Sequence, residues 1–137
     1  MGVTITATNS KYSFEMGAGG FFNLRANIAD ALDKEFGEHY RSLLNCHYSD
    51  DYKLFNKIAN AMLARKRLDE DIVAFLFMPD TTGNIPHKTC KKIFDLIKNI
   101  DYTGKGFQYA AYQNKDYEQF KKFLKECYFY RRKMRWY

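Results

Sequence analysis

The closing segment of the chain, residues 121–137, carries seven cations and six aromatic rings. Lys121, Lys122, Lys125, Arg131, Arg132, Lys133 and Arg135 interleave with Tyr128, Phe129, Tyr130, Trp136 and Tyr137, and Glu126 is the one acid among them. Guanidinium groups clamp phosphate oxygens, and aromatic faces stack on bases, so this mixture suits an anionic polymer with bases to offer. The same residue types are enriched at protein interfaces, and they would also make a solvated basic face whose rings pack a helix down. Lys88, Lys91, Lys92 and Lys98 form a second basic set on the later helix of a helix–turn–helix pattern over residues 69–98. The joint between those helices, "PDTTGN", is longer than the about three or four residues of a DNA-reading turn and starts with proline.

Other chemistry is thinner. "GAGG" at 17–20 stands between an expected strand and an expected helix, the setting of a phosphate loop. Phe22 occupies the position where a dinucleotide fingerprint wants glycine, and no Lys-Ser/Thr pair follows, so a tight strand-to-helix turn is expected. "DTTGNI" at 80–85 starts like a calcium loop but lacks the later carboxylates and a closing Glu. His39, Cys46, His47, His87 and Cys90 contain no C-x-x-C pair, and only His87 and Cys90 have ligand-like spacing. No metal or other cofactor is therefore expected. Cys90, flanked by Lys88, Lys91 and Lys92, is the best placed thiol for a nucleophile, yet its apolar register argues for burial. With no cluster of carboxylates for acid–base work, no catalytic residue is expected.

The charge map points the same way. The net charge is +6, but residues 1–64 hold 6 Lys or Arg against 7 Asp or Glu, whereas residues 65–137 hold 16 against 9. The acids Asp30, Asp33, Glu35, Glu38, Asp50 and Asp51 make an opposing patch in the first half, a rival contact surface for a protein partner. Length and a hydrophobic content of 46% suit one compact domain over residues 1–137. An aromatic share of 18% argues against disorder. No run of about 18 apolar residues is present, which leaves no membrane-spanning helix. "MGVTITATNS" lacks the basic start and apolar stretch of a signal peptide. Three widely spaced cysteines then read as reduced thiols in a cytoplasmic protein.

The elements that must position these groups follow from periodicity. Val3, Ile5 and Ala7 alternate with threonines, Asn9-Ser10 is turn chemistry, and Tyr12, Phe14 and Met16 alternate again, which predicts a hairpin. Phe21, Leu24, Ile28, Leu32 and Phe36 predict one helix face that Gly37 would end. Tyr40, Leu43 and Leu44 predict an inward-facing helical turn, and Phe55, Ile58, Ala59 and Met62 a helix capped by Ser49 or Asp50. Asp69 predicts the next cap, before an almost wholly apolar helix that Pro79 ends. Pro86 opens a helix with Cys90, Ile93, Phe94 and Ile97 inward. Residues 101–114 read as loop or short strand, and Asp116 with Gln119 as the capping box of a last helix burying Tyr117, Phe120, Leu124 and Cys127. The ending "YFYRRKMRWY" continues that helix or becomes a strand.

The strings "GFFNLRANIADALDKEFGEHY", "FLFMPDTTGNIPHKTCKKIFDLIK" and "RRKMRWY" resemble a set of small uncharacterised proteins of gut-type low-GC Gram-positive bacteria and their mobile elements. The resemblance covers nearly the whole chain and carries no motif tied to known chemistry, so it implies no site. It implies a self-contained protein of mobile-element or phage origin that modulates host machinery, including nucleic-acid-containing immunity complexes such as a CRISPR nuclease. The expectation is thus an α+β, helix-dominated fold, an N-terminal hairpin on about five helices. It would act as a binding protein docking on nucleic acid or a nucleoprotein complex through the C-terminal half. The alternatives are an inhibitor or adaptor directed at a host protein through the acidic patch, or a small enzyme using Cys90 or the "GAGG" turn.

Overall fold

The computed structural model describes residues 2–42, 51–79, 81–99 and 110–137. Within them the fold is α+β with helix dominant: β1 Gly2–Ala7, β2 Ser13–Gly17, α1 Ala18–Leu32, α2 Lys34–Ser42, α3 Asp51–Lys66, α4 Glu70–Leu76, β3 Gly83–Ile85, α5 His87–Ile97, α6 Ala110–Phe129 and β4 Met134–Trp136. The expected hairpin forms with Ile5 opposite Phe14 and Asn9 at a φ of 59° in its turn. It is half of a four-stranded antiparallel sheet of order β2-β1-β4-β3. Val3, Ile5, Ala7, Phe14, Met16, Ile85, Met134 and Trp136 are the sheet's buried apolar residues. α1 and α6 pack on the sheet, and α5 packs on both of them.

The ending divides: Tyr128 and Phe129 finish α6, and Met134–Trp136 is strand. Met134 and Trp136 turn inward while Arg135 points out, and Ile5 faces Trp136 across the pairing of β1 with β4. The last two residues of "PDTTGN", expected as turn, begin β3, because β4 offers them a partner that local sequence does not reveal. Gly83 belongs there for a steric reason: a Cβ would stand 2.7 and 2.8 Å from ring carbons of Trp136. The indole packs on Phe21 and Phe75, with centroids 5.6 and 5.5 Å away, and its Nε1–H donates to the carbonyl of Pro79 at 3.0 Å.

Several helix boundaries differ from expectation. Gly37 does not stop a helix; it lies within α2. The break comes at Asp33, whose carboxylate accepts the Phe36 N–H at 2.9 Å and so caps α2. Gly37 instead lets α2 approach α1, since a Cβ would meet the Asp30 Cα and N at 2.6 and 2.7 Å. α6 starts at Ala110, not at Asp116, so residues 110–114 are helix and the capping-box pattern lies inside it. Helix propensity of the "AAYQN" stretch, continuous with the later stripe, outweighs the local cap signal. Ile58, expected in the core, is exposed, while Ala59 is buried beside it. Phe94 is only partly buried, against Tyr128 at 5.4 Å. Asp69 caps α4 as expected, accepting from Asp71 N and Ile72 N at 2.9 and 3.1 Å. Leu43, Leu44, Ser49 and Asp50 lie outside the described residues, as does most of the 101–114 segment.

Candidate nucleic-acid interface

The basic C-terminal residues come from two elements. α6 carries Lys121, Lys122 and Lys125, and its end passes through a left-handed residue, Arg131 at φ 55°, before β4. There the Arg132 N–H reaches back to the Cys127 carbonyl at 2.8 Å, closing the last turn of α6. This cap leaves Phe129 and Tyr130 on the outside, 70% and 59% exposed, with centroids 5.0 Å apart edge to face. The Arg132 guanidinium lies 4.8 Å from the Tyr130 ring centre.

Lys122, Lys125, Glu126, Phe129 and Tyr130 line a shallow groove. A second groove continues from it, sharing Lys122 and Glu126 and running to Tyr12, Ser13 and Phe14 of the hairpin. Tyr12 is 72% exposed. The floor holds Phe14 against Phe123, with centroids 4.9 Å apart. The volumes, about 280 and 310 Å³, lie at the low end for enclosed small-molecule sites, which suits a flat group laid on the surface. Glu126, the one acid in both grooves, accepts from Ser10 Oγ at 3.0 Å and Arg132 at 2.8 Å, so its charge is already balanced.

The remaining cations divide. Lys121 pairs with Glu118 at 3.2 Å, and Arg132 with Glu126. Lys122, Lys125, Arg131, Lys133 and Arg135 are exposed and make no ion pair among the described residues. Arg135 lies on the outer sheet face in the row of Ser13, Thr6 and Asn84. Trp136 is the correction: it is 1% exposed, held by rings and a hydrogen bond, and cannot present a face to a base in the folded protein. Tyr12, which the sequence reading placed only in a strand, joins the surface in its place; the signal available was a large ring at the start of an edge strand.

On α5 and at its C-terminal cap, Lys91 and Lys98 pair with Asp95 at 3.1 and 3.4 Å, and Lys92 pairs with Asp69 and Asp71 at 3.1 and 2.8 Å. Lys88 alone of this set makes no ion pair among the described residues. β3 stands between α4 and α5, so the helix–turn–helix arrangement is absent from this segment. Three acids of the acidic patch are also answered internally, while Glu38 is exposed and makes no ion pair among the described residues. Asp30 pairs with Arg41, Asp33 with Lys66 at 3.3 Å, and Glu35 with Lys66 and Arg65 at 2.9 and 3.1 Å. The Phe36 N–H and Lys66 hold the Asp33 carboxyl below its ordinary value, and Lys66 with Arg65 does the same for Glu35. Asp50 lies outside the described residues.

Cys90 has no exposed surface and lies beside Cys127, which together with burial pushes its thiol well above the ordinary range. It packs as a small hydrophobe and lacks the thiolate character a nucleophile needs. "GAGG" is not a loop either: Gly17 caps α1, and residues 18–20 are already helical. Cys46 and His47 lie outside the described residues. The chain matches no family model, no curated protein and no solved structure.

Proposed function

We propose that this chain is a non-catalytic binding protein that docks on nucleic acid, free or within a nucleoprotein complex, through the surface where α6 meets the hairpin. One observation carries the reading: cations that make no ion pair among the described residues coincide there with solvent-exposed rings. Lys122, Lys125 and Arg131 keep their charge available, and Phe129, Tyr130 and Tyr12 stand out beside them. Internally paired acids on α1 and α2 weaken the rival reading of an acidic docking patch. The resemblance adds a setting, a mobile element whose product engages a host immunity complex such as a CRISPR nuclease; gene neighbours of another kind would remove that part.

Fluorescence anisotropy with a labelled mixed-sequence oligonucleotide tests the reading across a salt series. Each phosphate neutralised should contribute a log–log slope of roughly −0.7 to −0.9. The triple change Lys122→Gln, Lys125→Gln and Arg131→Gln should flatten the slope while leaving the melting temperature in place, because exposed charges add little to stability. Absence of binding at low salt, to single and double strands alike, would reject the proposal.

A further inference from the structure

We infer that the surface between α6 and the hairpin takes unpaired nucleic acid in preference to duplex, an inference that rests on the nucleic-acid reading above. Cations alone would serve either form, since both present phosphates. The aromatic side chains discriminate. Tyr12 stands at one end of the continuous groove, and Phe129 with Tyr130 at the other, all more than half exposed. A duplex hides the faces of its bases in the stack and would leave these rings idle. A single strand can turn bases onto them, and stacking of this kind is tolerant of sequence.

The floor and rim are divided in the same sense. Phe14 and Phe123 make an apolar floor that suits the face of a base and repels a phosphate. Lys122 and Lys125, one helical turn apart, stand at the rim where a backbone would pass. Glu126 would oppose a phosphate, but Ser10 and Arg132 hold its carboxylate. Arg132 in turn steadies the Tyr130 ring, which remains 59% exposed. The chemistry that fits is a short single-stranded stretch, phosphates along the lysine rim and bases toward the rings.

The test compares a labelled oligothymidylate of about 12 nucleotides, within the usual site-size range, with a blunt duplex of equal length, using the full chain at low and moderate salt. The single strand should bind at least about tenfold tighter. Phe129→Ala and Tyr130→Ala, assayed separately, should each weaken single-strand binding by roughly 5- to 150-fold and leave duplex binding and melting temperature unchanged. Equal or tighter duplex binding, or aromatic variants that bind the single strand like the parent, would overturn the inference while the basic-surface reading stood. Binding to neither form would remove both.

Discussion

The acids of α1 and α2 and the cations of α6 look like mirror images in the sequence, but the fold treats them differently. Asp30, Asp33 and Glu35 are each met by Arg41, Lys66 or Arg65, and Asp33 also caps α2. Lys122, Lys125, Arg131, Lys133 and Arg135 find no ion pair among the described residues. The paired acids of one patch tie helices together, whereas the cations of the other face solvent. The lysines of α5 and its C-terminal cap side with the first: Asp69, Asp71 and Asp95 neutralise three of the four. A surplus counted along the chain becomes a surface property only after internal pairs are subtracted.

The largest effect that could break this contrast concerns the C-terminal rings. Trp136→Ala should destabilise by about 3–5 kcal/mol, since it empties a fully buried site, whereas Phe129→Ala should stay within about 0.5 kcal/mol of the parent. Thermal or urea unfolding of the two variants side by side decides it; similar midpoints would erase the division between a core ring and a surface ring.

A middle-sized effect lies at the acidic end. Asp33→Ala removes the cap on α2 and should cost about 0.5–2 kcal/mol without altering the salt slope of nucleic-acid binding. The acid limb carries the same information. Asp33 and Glu35 titrate below their ordinary values of 3.8 and 4.5, so below those values the unfolded chain takes up protons first. Their contribution is therefore present above about pH 4.5 and is lost as pH falls through the lower native values. Melting temperature followed from pH 7 to pH 3 should drop at the acid end, and Asp33→Asn should shallow that drop.

The smallest stability effect sharpens the contrast most. Arg131 occupies a left-handed conformation that glycine adopts freely. Arg131→Gly should leave stability unchanged or raise it by up to about 1 kcal/mol, yet weaken binding. A variant that is no less stable and binds less well would mark Arg131 as kept for contact. Unchanged binding would strip it of that role.

Wherever a signal was local, the sequence was readable. Alternation around Asn9 predicted β1 and β2, the 3.6-residue stripes predicted α1, α5 and the later part of α6, and Asp69 announced α4. What escaped depended on distant partners. β3 exists because β4 lies beside it, and Gly83 is required because an indole from the far end of the chain lies against it. Gly37 carried the signature of a helix stop but serves a close helix approach. In the candidate site, the lysines and arginines were legible by type, but which of them are paired was not. Tyr12 entered and Trp136 left for one reason: burial of a ring is decided by the tertiary neighbours on its side of the sheet.

The pairing of Ile5 with Trp136 joins residues separated by nearly the whole chain, and it is the seam between the hairpin and the β3–β4 pair. Closing so long a loop has an entropic cost that no local contact offsets, and non-local pairing of this kind slows folding at a given stability. Two strands alone are marginal, so β1 and β2 must wait for support. The cap at Arg131 and Arg132 that displays Phe129 and Tyr130 also sets the direction in which the chain enters β4. The display of Phe129 and Tyr130 and the docking of the last strand thus rest on one turn, and a chain that has not closed it would lack the proposed surface.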